Sequence, residues 1–212
     1  MTDQNNENQH GSPSKVILIL SVIIAAISLY MLLAVELPSK PLAGQGGAEE
    51  SADIGGDFKL TDHNGNPFDS NSLKGQLSLV YFGFTYCPDI CPTSLHKIAK
   101  VMDTLDKYHI KLVPIFITVD PERDKINVLK EYLGHFNNKL IGLTGSPEEI
   151  RAVADKFKVF YAKSDGGEEN NSDYMVDHSS FVYLMDKDFK YKKHFSLANT
   201  PEDIIEYIRM NQ

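Results

Sequence analysis

Apolar residues are distributed along this chain in three regimes. The first is Val16 to Val35, a run of 20 residues without a charge, interrupted only by Ser21, Ser28 and Tyr30. At about 1.5 Å rise per residue such a run spans a bilayer core of roughly 30 Å. The apolar region of a cleavable signal peptide is only ~7–15 residues and ends at a small-residue cleavage site. Tyr30-Met31-Leu32-Leu33-Ala34-Val35-Glu36 offers none, so the pattern predicts an uncleaved transmembrane anchor over residues 16–35, behind a polar tail over residues 1–15. The second regime, residues 36–55, has Pro38, Pro41, Gly44, Gly46, Gly47 and Gly55 and reads as a flexible linker. The third, residues 56–212, alternates strand-like and helix-like patterns.

Within that domain Leu77 to Phe84 is a nearly continuous apolar run, as expected for a strand buried on both faces. Leu95, Ile98, Met102 and Leu105 then recur at three- and four-residue steps and predict a helix to about Tyr108. Leu112 to Val119 reads as a second buried strand, in which Pro114 removes one ladder donor, so pairing should begin after it or avoid that edge. Ile126, Leu129 and Leu133 mark a second helix, with Asp120-Pro121 as its expected start. Leu140 to Leu143 is a short strand, and Ser146-Pro147-Glu148-Glu149 caps a third helix. Val159 to Ala162 reads as a strand, Lys163 to Ser172 as a loop, Ser180–Met185 and Tyr191–Phe195 as a hairpin, and Pro201–Met210 as the closing helix. The succession predicts an α/β fold with a thioredoxin-like mixed sheet flanked by helices, preceded by one transmembrane helix.

Composition removes some functions. The net charge of −8 leaves no basic face for nucleic acid. Two cysteines are too few for a disulfide scaffold or a four-thiolate zinc site. Orientation across a membrane is nearly balanced between Lys15 and Lys40. A short tail inside and a large domain outside is the usual outcome. No Arg precedes Arg123, unlike an Arg-rich transit peptide, so a bacterial cytoplasmic membrane with the domain in the periplasm is expected.

Both cysteines fall in Gly83-Phe84-Thr85-Tyr86-Cys87-Pro88-Asp89-Ile90-Cys91-Pro92, where the first strand gives way to a helix. Pro92 at the first helical position would make Cys91 roughly the cap residue. A helix start favours thiolates, and a four-residue step places both sulfurs on one side of the first turn. Such a pair can close a disulfide or grip one ion, and spacing alone does not choose. A plain disulfide staple over so short a loop would stabilise little.

This motif, with Val119-Asp120-Pro121-Glu122-Arg123-Asp124 and Asp177-His178-Ser179, resembles the SCO/SenC family of membrane-anchored copper proteins. The histidine lies 87 positions beyond Cys91. The resemblance implies a thioredoxin-like domain that binds one copper, as Cu(I) or Cu(II), through Cys87, Cys91 and His178. It implies a metallochaperone rather than an enzyme, whose partner is the cytochrome c oxidase subunit carrying the CuA site. A periplasmic copper donor or thiol reductase would be further partners. Two thiolates and an imidazole are a soft, low-coordinate set that suits copper.

The rival function is thiol–disulfide exchange at Cys87 and Cys91, for which neither the histidine nor the three-residue spacing is needed. A thiol peroxidase would want an Arg near the cysteines, and Arg123 is the one distant candidate. Asp177 is expected on the face opposite His178, and Met175 as packing, with a soft auxiliary ligand as its alternative. His63, His109, His135 and His194 read as surface residues, and His96 is rotated off the cysteine face. Asp120 to Asp124 reads as a turn without a catalytic duty, and Asp89-Ile90 as shaping the loop.

Overall fold

The computed structural model describes residues 13–34, 54–164 and 174–211. The expected tail up to residue 12, the linker up to residue 53 and the loop at residues 165–172 lie outside them. The chain divides into two units, Met1–Glu50 and Ser51–Gln212. In the first, α1 covers Pro13–Ala34, and every residue from Ile17 to Met31 is exposed. Over these residues, whose side chains are described, no helix is long and apolar enough to cross a membrane.

The second unit is built on β3 (Leu77–Gly83), whose seven residues are all buried. It pairs in parallel with β4 (Leu112–Thr118) from Leu77↔Leu112 to Gly83↔Thr118, and β4 pairs in parallel with β5 (Ile141–Thr144). Parallel neighbours require long crossovers, and these are α2 (Ile90–Lys107) and α3 (Ile126–Gly134). The hairpin β8 (Val182–Met185) and β9 (Tyr191–Phe195) adds antiparallel to β3. On the far side, β1 (Lys59–Asp62) pairs antiparallel with β5 and with β2 (Pro67–Asp69). The seven strands run in the order β2-β1-β5-β4-β3-β8-β9. A separate two-stranded ribbon joins β6 (Tyr161–Lys163) to β7 (Val176–His178). This is the expected mixed thioredoxin-like sheet.

Helices cover both faces because β3 is apolar on both. On one side Tyr81 packs on Phe116 and its hydroxyl meets Cys91 of α2, while Phe116 meets Tyr132 of α3. Phe82 points the other way, to Phe157 at the end of α4 (Pro147–Lys156). The closing helix is α5 (Pro201–Met210). Both α4 and α5 open on a capping box, Ser146 with Glu149 and Thr200 with Asp203, as their sequences encode.

Pro114 is buried in the middle of β4, but the ladder to β5 starts at Ile115, so no bond on that side needs the missing donor. Two expected helix starts are corrected. Asp89, not Cys91, is the N-cap of α2, which places Cys91 inside the first turn. Lys125, not Asp120, precedes α3, because Asp120 is buried and its carboxylate is held by Arg123 and Tyr174. Strands β1, β2 and β7 were not expected. They are short and rich in polar residues, and only their pairing partners make them strands.

Candidate metal centre

The end of β3 sets the site. Gly83 is the last residue of the strand, and a Cβ there would stand 2.9 Å from the Cys91 sulfur and 3.0 Å from Phe116. Glycine therefore lets α2 approach the strand closely enough to bury Cys91 against it. From Phe84 the chain turns out, Cys87 lies half-buried on the loop, and Cys91 is fully buried one helical turn later. Both thiols are free. The Cys91 N–H donates to the Cys87 sulfur at 3.4 Å, so the open end of the helix faces that sulfur.

His178 arrives from the last position of β7. Its Nε2 is 3.4 Å from the Cys91 sulfur. Its Nδ1 is 3.0 Å from the carbonyl oxygen of Ser179, which can only accept, so Nδ1 carries the proton and Nε2 presents a lone pair to the sulfurs. The ring stands edge-on to Phe84 and Tyr81, at 5.8 and 6.3 Å between centroids. One ligand atom each from Cys87, Cys91 and His178 lies within 4.8 Å of the others, a group able to hold a metal ion. The three residues singled out in the sequence are thus brought together.

The two thiols are electrostatically unequal. The Cys91 thiol beside it is the chief cause that lowers the Cys87 pKa to about 4, helped by the N–H groups of Cys91 and Asp89, against burial. Hydrogen bonding to Cys87, then burial, pushes the Cys91 thiol up. The pair therefore holds one thiolate and one proton near neutral pH.

The other candidates separate. Asp177 is exposed and faces away from His178 on β7, as alternation requires. The ring is oriented by the Ser179 carbonyl, a backbone group that no side-chain pattern marks. Met175 is exposed rather than packed, and with Cys87, Pro88, Ile90 and His178 it lines a cavity of about 330 Å³ at the mouth of the site. His96 is exposed against Phe136, and His109, His135 and His194 are exposed. His63 is corrected: it is half-buried, and its Nδ1 accepts the Gly142 N–H at 2.8 Å, a tie between β1 and β5.

The acidic turn after β4 is also more than a surface turn. Asp124 is fully buried, and burial raises its carboxyl pKa. It accepts the Thr85 N–H at 3.0 Å, the Thr85 hydroxyl at 2.5 Å and the Thr118 hydroxyl at 2.7 Å, bonds that oppose this rise. Asp120 accepts from Arg123 at 2.5 Å and from the Tyr174 hydroxyl at 2.7 Å. The density of acids in Asp120-Pro121-Glu122-Arg123-Asp124, next to an apolar strand, was the available signal. Thr118 and Arg123 are near neighbours, but Thr85 and Tyr174 lie 39 and 54 positions away in sequence and carry no pattern of their own.

Residues 46–211 match the SCO1/SenC family model. The chain belongs to the SCO1/SenC family. It is 52% identical over 198 residues to the SCO2-like protein of Rickettsia felis, covering 93% of this chain and 96% of that one. The structure of Bradyrhizobium japonicum ScoI with copper bound matches with a TM-score of 0.67 at 42% identity, over 75% of this chain and 99% of that one. BsSco, described as a member of the Sco family of cytochrome c oxidase assembly proteins with a disulfide switch, matches with a TM-score of 0.58 at 30% identity, over 73% of this chain and 90% of that one. Both solved structures share the fold of the present chain.

Proposed function

We propose that this protein carries one copper ion on Cys87, Cys91 and His178 and delivers it to the cytochrome c oxidase subunit that holds the CuA centre. The observation that carries the reading is the convergence of two sulfurs and one ring nitrogen within 4.8 Å. Two thiolates and a neutral imidazole are a soft donor set that fits Cu(I) and also holds Cu(II). The copper-bound relative and the assembly role stated for another support it. Cys87 is ready to ligate as a thiolate, whereas Cys91 must first lose its proton, so loading releases a proton and is favoured by rising pH. Three protein ligands leave room for one more, and the cavity beside Cys87 and His178 gives a partner's ligand a route in.

The reading extends to location. Residues 16–35 anchor the chain in a bacterial cytoplasmic membrane, with the domain in the periplasm. The uncharged sequence of that run and the exposed apolar side chains from Ile17 to Met31 support this. A periplasmic copper donor or thiol reductase would act upstream.

A second reading, thiol–disulfide exchange, is favoured by the asymmetry of the thiols. Attack of the Cys87 thiolate on a partner disulfide forms a mixed disulfide and expels one partner sulfur as a thiolate. Cys91, once deprotonated, attacks the Cys87 sulfur and releases the second, leaving a Cys87–Cys91 disulfide and a reduced partner.

One titration separates the readings. The reduced full-length chain in detergent should take up one copper per molecule. His178→Ala should weaken copper binding, Cu(II) most, by at least ~10-fold while disulfide exchange persists. If His178→Ala leaves copper binding intact and abolishes exchange, the protein is a reductase and the carrier reading is wrong.

A further inference from the structure

The three ligands sit on two separate pieces of chain. Cys87 and Cys91 belong to the loop and helix after β3, whereas His178 ends a ribbon of two three-residue strands outside the main sheet. A pair of strands that short is marginal by itself, so the distance from imidazole to sulfurs must be fixed from elsewhere.

The turn Asp120–Asp124 touches both pieces. On the cysteine side, the buried Asp124 carboxylate holds the Thr85 N–H and hydroxyl, two residues before Cys87. On the histidine side, Arg123 Nη1 donates to the Tyr174 carbonyl at 2.9 Å, four residues before His178. The Arg123 guanidinium carbon also lies 3.7 Å from the centre of the Tyr174 ring and 4.6 Å from that of Tyr86, next to Cys87. Asp120 fixes the guanidinium through Nε, with side-chain exposures of only 13% for Arg123 and 2% for Asp120. One side chain therefore contacts the cysteine loop and the approach to β7 together.

We infer, resting on the copper reading above, that Arg123 is a positioning residue that holds the cysteine loop and the His178 ribbon at the separation where one ion meets all three ligands. A guanidinium is required rather than a generic cation. Its flat faces stack on aromatic rings while its edge donates in plane to a carboxylate and a carbonyl. An ammonium group does one or the other.

Arg123→Lys in the full-length protein tests this, because lysine keeps the charge beside Asp120. The expected result is about tenfold weaker Cu(II) binding by chelator competition, with a shifted thiolate-to-copper absorption band and altered electron paramagnetic resonance. In the metal-free protein, amide hydrogen exchange should quicken at Ser164 and Ser179, whose N–H groups tie the ribbon to Met175 and Phe160, and stay unchanged in β3. Unchanged affinity, spectrum and exchange would overturn the inference, as would weaker binding without faster exchange in the ribbon. Should the lysine variant fail to fold, Tyr86→Leu removes one stacked ring at a position 61% exposed. It should move affinity and exchange the same way by less, and no movement overturns the inference. If the unmutated protein takes up no copper, the carrier reading fails, and the exchange comparison alone decides the role of Arg123.

Discussion

At the scale of single residues, the protein divides labour between two chemically identical side chains. Cys87 is half-exposed with its pKa brought down to about 4, first by the Cys91 thiol, from an ordinary value of 9.0. A group with a lowered folded pKa contributes stability in full above its unfolded value, and loses it as pH falls through the folded one. The reduced protein should therefore gain stability from this thiol between about pH 4 and 9. Cys91 acts in the opposite sense: its pKa is raised, so its contribution is complete below its ordinary 9.0 and is lost as pH climbs past it. Cys91→Ala should move the Cys87 titration upward and shrink the stability gain across that window. Thiolate ultraviolet absorbance and thermal melts recorded against pH would read both effects, and a Cys87 titration that stays near 4 would remove Cys91 as its cause. Both cysteines and His178 were legible in the sequence, whereas the Ser179 carbonyl that sets the His178 tautomer was not, because every residue carries that group.

At the scale of elements, the site depends on how close α2 comes to β3. The neighbours of a Cβ at Gly83 would be the Cys91 sulfur at 2.9 Å, Phe116 at 3.0 Å and Tyr81 at 3.1 Å. All three side chains are fully buried. Gly83→Ala should cost about 1–3 kcal/mol by overpacking and weaken copper binding by displacing Cys91. Chemical denaturation together with copper titration checks it, and a variant with native stability and affinity would show that the strand end yields. The long elements, β3, β4, α2, α4 and α5, were legible because their apolar periods are long or their caps explicit, as at Ser146. Strand β7, which carries His178, was not. Its sequence, Val176-Asp177-His178, has one apolar residue, and it is a strand only because Tyr161 to Lys163 pairs with it.

At the scale of the whole molecule, an apolar segment and a globular unit share one chain. The unit Ser51–Gln212 has its own sheet and buried core, so removal of residues 1–35 should release it to the soluble fraction with one-to-one copper binding retained. Fractionation of cells expressing both forms checks this, and a truncated chain that stays with the membrane would count against the anchor. Around the site, Tyr86, Ile90 and Met175 are exposed apolar side chains near the ligands. Elsewhere in the domain most large apolar residues are buried, with Tyr108, Ile126, Phe160, Phe181, Leu197 and Met210 also exposed.

The sequence alone determined the apolar run, the alternation of strands and helices, and the two cysteines at a helix start, because each is written in neighbouring residues through periodicity, charge and spacing. The tertiary structure decided which distant groups meet. His178 folds back onto Cys91, Asp124 seizes Thr85, and Arg123 lies against Tyr86 and Tyr174. Such meetings follow from the crossovers of a parallel sheet, which bring the ends of several strands to one edge whatever their separation along the chain.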